Sequence, residues 1–144
     1  MRTRPFGALA TLAALTVAAG GCGSGTDYAN ADRPPAPVAI SIAVAGGRIG
    51  VSPDHVGAGP VVLLIANESG SSRDVRLTAP AGGGRACVAD DASSGPINPQ
   101  DAARISLGLV EGTCAVSVDD AAIPPGRLVV GPERASAQQN LLEP

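Results

Sequence analysis

Apolar and polar residues alternate with a period of two along several short stretches of this chain, and no stretch carries a sustained helical repeat. Val38, Ile40, Ile42 and Val44 alternate with Ala39, Ser41 and Ala43, which predicts a half-buried strand. Gly46-Gly47 supplies a turn, and Arg48-Ile49-Gly50-Val51 predicts a short second strand closed by Ser52-Pro53 and placed to form a hairpin with the first. Asp54 to Pro60 reads as a loop. Val61 to Ala66 is a continuous apolar run between Gly59-Pro60 and the polar stretch Asn67 to Ser72; its length and β-branching predict a strand buried on both faces. Alternation returns from Arg73 to Ala79, with Val75 and Leu77 opposing Asp74, Arg76 and Thr78. Pro80 to Gln100 is irregular and too long for an empty connection in a compact domain unless something holds it. Asp101-Ala102-Ala103-Arg104 is long enough for one helical turn. Ile105, Leu107 and Leu109 then alternate, Glu111-Gly112 turns the chain, and Cys114, Val116 and Val118 share one face. Arg127 to Val130 is a final short strand. About seven short strands at roughly 8 to 12 residue spacing predict an all-β Greek-key β-sandwich.

The first two dozen residues differ in kind. Arg2 and Arg4 form a cationic start, Phe6 to Ala19 an apolar run, and Ala19-Gly20-Gly21 a small-residue stretch ending at Cys22, which is the order of a secretory signal. The apolar run is shorter than the roughly 20 residues of a spanning helix, and no stop-transfer charges follow it, so cleavage is expected. Small residues followed at once by Cys22 resemble the bacterial lipoprotein lipobox. That resemblance implies an acylated Cys22 as the first residue of the mature chain, anchored to the lipid bilayer by palmitate-type chains on the extracytoplasmic face of the cell membrane. Removing Cys22 into a lipid leaves Cys87 and Cys114 as an even pair, as an oxidising compartment favours. Gly23 to Pro37 is polar and Gly/Pro-bearing, suited to a tether. Two or three acyl chains anchor durably, at about 0.8 kcal/mol per buried methylene. The expected organisation is a signal peptide at 1–21, a flexible tether at 22–37, the sandwich at 38–131 and a disordered tail at 132–144.

Composition narrows the function further. The formal charge is −3, and losing Arg2 and Arg4 makes the mature chain more acidic; lysine is absent. A nucleic-acid partner, which would require a basic stripe or patch, is therefore not expected. Phe6 leaves with the signal and Tyr28 lies in the tether, so the predicted sandwich contains no aromatic residue. Binding hot spots and stacking platforms for sugars or bases lean on Trp, Tyr and Arg, and here only Arg is available. A core of Val, Ile, Leu and Ala also buries little area per residue, so a small domain of this kind needs a staple.

Two segments carry a family resemblance. Ala58 to Leu77 (AGPVVLLIANESGSSRDVRL) is similar to the central hairpin of bacterial cupredoxin-like domains, in which a Gly-Pro-led apolar strand ends in Asn-x-Gly or Asn-x-Ser and a His-Asp/Glu-Val motif opens the next strand. Leu107 to Val116 (LGLVEGTCAV) resembles the Leu-x-x-Gly-Thr-Tyr start of a late strand in the same family. The resemblance implies a cupredoxin-like sandwich, with an immunoglobulin-like one sharing the same grammar. A mononuclear blue-copper site takes two imidazoles, a thiolate and a weak axial ligand such as Met. Arg73 stands at the first-histidine position, Met1 leaves with the signal, and His55 is the one histidine. The resemblance therefore implies a copper-free member with no cofactor and no bound metal.

Each remaining candidate for chemistry has a plainer structural reading. Cys87 and Cys114 are expected to form a disulfide, worth roughly 3 to 4 kcal/mol for a loop of this length. A thiol-exchange couple is the rival, but the chain has no C-x-x-C and only Arg85 lies near either cysteine. His55 beside Asp54 is a base or ligand on one reading and solvated surface on the other. Asp90-Asp91 and Asp119-Asp120 flank the cysteines, so a disulfide draws the acidic pairs toward one another, as a weak Ca²⁺ site or as a soluble rim. No G-x-S-x-G occurs, and Gly82-Gly83-Gly84 lacks the helix and Gly-Lys-Ser/Thr of a phosphate loop. Asn67-Glu68-Ser69 matches a glycosylation sequon in form and reads as turn chemistry. Arg73 either pairs with a carboxylate or binds an anionic partner. Together these features predict a non-enzymatic binding or scaffolding module whose partner is an envelope protein or small ligand. A metal or redox accessory protein with a degenerate cupredoxin fold is the alternative.

Overall fold

The computed structural model describes residues 34–136. Cys22, the expected signal peptide and most of the expected tether lie outside the described residues, as does the end of the expected tail. Eight strands follow in order: β1 (Val38–Ala45), β2 (Arg48–Ser52), β3 (His55–Asn67), β4 (Arg73–Thr78), β5 (Ala92–Ile97), β6 (Asp101–Leu109), β7 (Gly112–Val118) and β8 (Gly126–Glu133). They form an all-β sandwich, one strand richer than the sequence suggests. One layer runs β2-β1-β3-β6 and the other β3-β8-β7-β4-β5, with β3 common to both.

The double duty of β3 follows from its sequence. Its first residues, His55 to Ala58, pair in parallel with β8, and its last, Val61 to Asn67, lie between β1 and β6. The inner faces of the two layers look toward each other, so a strand passing from one layer to the other has to exchange its inward and outward residues. The burial pattern shows that exchange: Ala58 is buried, and the inward set then becomes Val61, Leu63, Ile65 and Asn67. A register shift at Gly57/Ala58 and a left-handed Gly59 (φ 124°) supply the change of phase.

Arg134 fills this bend. Its Nε donates to Gly57 O at 3.1 Å and Ala58 O at 3.3 Å, Nη1 to Ala36 O at 2.9 Å and Nη2 to Pro60 O. Three carbonyls of the bend, and that of Ala36 before β1, thus receive a fork of charged donors. Glycine is required beside it: a Cβ on Gly57 would lie 2.5 Å from Arg134 Cγ, and one on Gly59 2.8 Å from Pro35 Cγ. The ordered chain accordingly reaches beyond the expected 38–131 limits. Pro35 is buried, β8 continues to Glu133, and Arg134 N donates to Ala58 O at 3.1 Å.

Several elements depart from the sequence expectation. The expected loop Asp54–Pro60 is strand from His55, because backbone pairing with β8 outweighs its Gly/Pro/Asp composition. The run Val61–Ala66 is buried on one face only: Leu64 is 42% exposed and Val62 and Ala66 are half-buried. Neighbouring strands flank both edges of β3, but among the described residues no further layer covers its outer face. Within the irregular Pro80–Gln100 lies β5, an edge strand disguised by Gly95 (φ 66°) and Pro96. Ser93 Oγ donates to Asp74 Oδ1 at 2.7 Å, and Val75 N donates to Ser94 Oγ at 3.0 Å, tying β5 to β4. Asp101–Arg104 is not helical; it pairs with Asn67–Leu64 as the start of β6.

The core between the layers is wholly aliphatic apart from the cysteines and Asn67. Ile40, Ile42, Leu63, Ile65, Leu77 and Leu128 are its largest fully buried side chains. Cys87 and Cys114, both fully buried, form the expected disulfide with Cα atoms 5.3 Å apart. It pins the 80–91 stretch to β7, where Thr113 N donates to Arg85 O at 2.8 Å.

Two outcomes follow. Replacing Arg134→Ala strands several bend carbonyls and is expected to cost about 2 to 3 kcal/mol in urea unfolding, with Arg134→Lys recovering less than half because an ammonium lacks the planar fork. The Asp74 carboxyl is held below its usual 3.8 by the Ser93 hydroxyl; burial, the next largest influence, opposes this lowering, and the Arg76 guanidinium adds to it. Its contribution is therefore complete above pH 3.8 and is lost as pH falls through the lower folded value. The urea midpoint of the wild type should drop further between about pH 5 and pH 2 than that of Asp74→Asn.

Candidate functional site

At the end of β3 the chain gathers three connections around one amide. Asn67 is fully buried, the single buried polar or charged residue among those described. Its Nδ2 donates to Ser71 O at 2.8 Å, Ile97 O at 2.9 Å and, more weakly, Asn98 O at 3.2 Å. Its Oδ1 accepts from Ser69 N at 3.1 Å and Ser69 Oγ at 2.6 Å. Every polar valence is thus used, which is what allows an amide into an aliphatic interior. The sequon-like Asn67-Glu68-Ser69 is turn chemistry, as its pattern suggests.

This knot positions Arg73 at the start of β4. Arg73 pairs with Ile97 in register, and its side chain is only 17% exposed. The guanidinium faces the β7–β8 connection, with Nη2 3.1 Å from Asp120 Oδ2 and Nη1 3.9 Å from Asp119 Oδ1. That connection is itself ordered: Ala122 N donates to Asp120 Oδ1 at 3.0 Å, Ile123 N to Asp120 O at 3.1 Å, and Ile123 is buried beneath it. Arg73 Nε is buried without a hydrogen-bond partner. Of the two roles open to Arg73, the structure shows the carboxylate pairing. A mostly buried cation held this way is costly to unpair, since removing its carboxylates leaves the charge uncompensated.

The other sequence candidates do not converge here. His55 stands at the opposite end of β3 from Asn67, largely exposed, with Nδ1 2.9 Å from Asp54 Oδ1. That hydrogen bond, and then the charge on His55, holds the Asp54 carboxyl below its usual range. Asp90 and Asp91 are exposed, whereas Asp119 and Asp120 are turned to Arg73, so the acidic pairs form no common site. Among the described residues no group of three or more His, Cys, Asp or Glu is arranged to hold a metal ion. The cysteines are closed in their disulfide, and Arg85 contributes its carbonyl to Thr113. One histidine, no methionine and no free thiol among the described residues do not fit a blue-copper donor set. Sequence reasoning sets Asp119 and Asp120 beside His55 or Asp90-Asp91 and does not name them as the carboxylates of Arg73; the contact crosses from one loop to another strand.

No known protein family matches the chain, and no curated protein matches it. Solved structures do. Auracyanin A, a blue copper protein from the green thermophilic photosynthetic bacterium Chloroflexus aurantiacus, is 19% identical with a TM-score of 0.51, covering 67% of this chain and all of that one. The Cu(I) form of a methionine-to-alanine mutant of amicyanin is 17% identical with a TM-score of 0.46, covering 70% of this chain and 94% of that one. The likeness to auracyanin shows the fold: the sandwich is cupredoxin-like.

Asn67→Ala takes the amide donor from the carbonyls of Ile97 and Asn98, leaves Ser71 O only the Ser69 hydroxyl at 3.0 Å, and opens a void, so a loss of about 2 to 4 kcal/mol is expected in chemical denaturation. Asn67→Asp, which turns a carboxylate toward three carbonyls, is expected to be worse.

Proposed function

We propose that this chain is a membrane-anchored extracytoplasmic lipoprotein whose cupredoxin-like domain acts as a non-enzymatic binding or scaffolding module. The observation that carries the reading is the pairing of Arg73 with Asp119 and Asp120, at the strand start where the family resemblance places a copper-binding histidine. An internal cation with its own carboxylates does there what a metal would do by linking β4 to the β7–β8 connection, without offering a redox centre. The anchor rests on the Arg2/Arg4, apolar-run and Gly-Gly-Cys22 pattern.

A metal or redox accessory role is the second reading, favoured by a fold shared with a blue copper protein. Against it stand the unsuitable donor set and a disulfide with both cysteines buried, out of reach of an attacking thiolate.

Titrating Cu²⁺ into the purified chain should produce no intense visible thiolate-to-copper band and no change in thermal midpoint; a stoichiometric band would replace the first reading with the second. Mass analysis of the mature N-terminal peptide should find Cys22 diacylated, and Cys22→Ala should leave the membrane fraction or remain uncleaved. An unmodified Cys22 with unchanged fractionation would remove the anchor from the proposal.

A further inference from the structure

The uncovered outer face of the β2-β1-β3-β6 layer has a pattern that the reading above does not use. Gly50, Ala43, Ala66 and Ala102 are register partners in succession, forming a straight row of small residues across all four strands. On one side of it the adjacent row contains Ser41, the exposed Leu64 and Arg104, again register partners. On the other side Glu68 follows directly after β3, its amide bonded to Val44 O at 2.9 Å. These residues line one shallow depression, mostly apolar, with Arg104 and Glu68 at its rim. Both charges are exposed, and neither has an ion-pair partner among the described residues.

We propose that this face binds a second copy of the same chain through a two-fold interface. Leu64 and Glu68 lie two residues to either side of Ala66, so they are displaced from the small row by equal and opposite amounts, about 6.6 Å each. An axis along the small row, perpendicular to the strands, lays β3 over β3 with its direction reversed. The row of Leu64 and Arg104 then falls over the Glu68 end of the other copy, and Arg104 meets Glu68 of the second copy twice by symmetry. An isologous interface requires this kind of self-complementarity, in which residue i meets j and j meets i. The small row lets the two sheets approach, and each Leu64 fills the space beside it. Four strands make the face about 20 Å wide, a small interface by the standard of about 800 Å² per partner. The complex is therefore of the weak, reversible class. It does not require the lipid anchor.

Ala66→Cys places a thiol at the axis. Expressed as the full chain and mildly oxidised in intact cells, this variant should yield a covalent dimer of twice the monomer mass. Its yield should far exceed that of the wild type and of Ala81→Cys, which sits on an exposed turn away from the face. Ser41→Cys with a bifunctional maleimide gives a second reporter one row from the axis. Combined with Ala66→Cys, Arg104→Glu or Glu68→Arg should each cut the dimer yield roughly fivefold, and the two reversals together should restore at least half of it. Yields from both reporters no higher than the Ala81→Cys background would overturn the proposal. So would adducts of a different mass, which would assign the face to another protein, or yields indifferent to the charge reversals and their combination.

Discussion

A strand that has to belong to two sheets sets the terms for the rest of this domain. β3 begins beside β8 and ends between β1 and β6, and at the change of layer the carbonyls of Gly57, Ala58 and Pro60 converge on one side chain. The guanidinium of Arg134 reaches them, and the glycines at 57 and 59 exist in a form that leaves room for it. Burying unpaired carbonyls would cost more than a small aliphatic core comfortably supplies. The bend, the cation and the absence of side chains beside it are one solution to one constraint. Both ends of the described chain are drawn into it, Ala36 through its carbonyl and Arg134 through its side chain.

The far end of the same strand solves a related problem with a neutral group. Asn67 donates to the carbonyls of Ser71, Asn98 and Ile97 at the end of β5, and so fixes the turn from which Arg73 emerges. Arg73 then meets the carboxylates of Asp119 and Asp120 on the β7–β8 connection. Fold and cofactor chemistry are separable here: the loops that could cradle a metal are held by hydrogen bonds and an ion pair made from ordinary side chains. In this chain the loops at that end of the sandwich are tied by the Asn67 amide and the Arg73–Asp120 pair.

Strands with clean alternation were legible from residues alone. Val38–Val44 and Val75–Leu77 place their apolar residues inward as the period of two demands, and the pairing of Cys87 with Cys114 follows from parity. The errors have a common cause. Gly57, Gly59 and Pro60 mark a strand bend where composition suggests a loop, and Gly95 with Pro96 hide an edge strand that borrows its stability from Ser93 and Ser94. In Val61–Ala66 an unbroken apolar run suggests burial on two faces, although on the outer one Leu64 is exposed and Val62 and Ala66 are half-buried among the described residues. Composition reports local preference, and these segments are fixed by backbone pairing across the sheet. The partners of Arg73 and Arg134 were illegible for the same reason, since both contacts join parts of the chain far apart in sequence.

The parallel arrangement of β1, β3 and β8 gives the domain a mechanical character. Tension applied through the segment before Pro34 and through the segment after Ser136 would drag β1 and β8 in opposite directions along the strand between them. The seven register pairs of β1 with β3 would then be loaded together in shear, instead of being peeled open one by one. The Arg134 fork, bridging Ala36 to the middle of β3, would take the first load as a clamp. A protein pulled on by whatever it is attached to would hold its shape until that clamp slips.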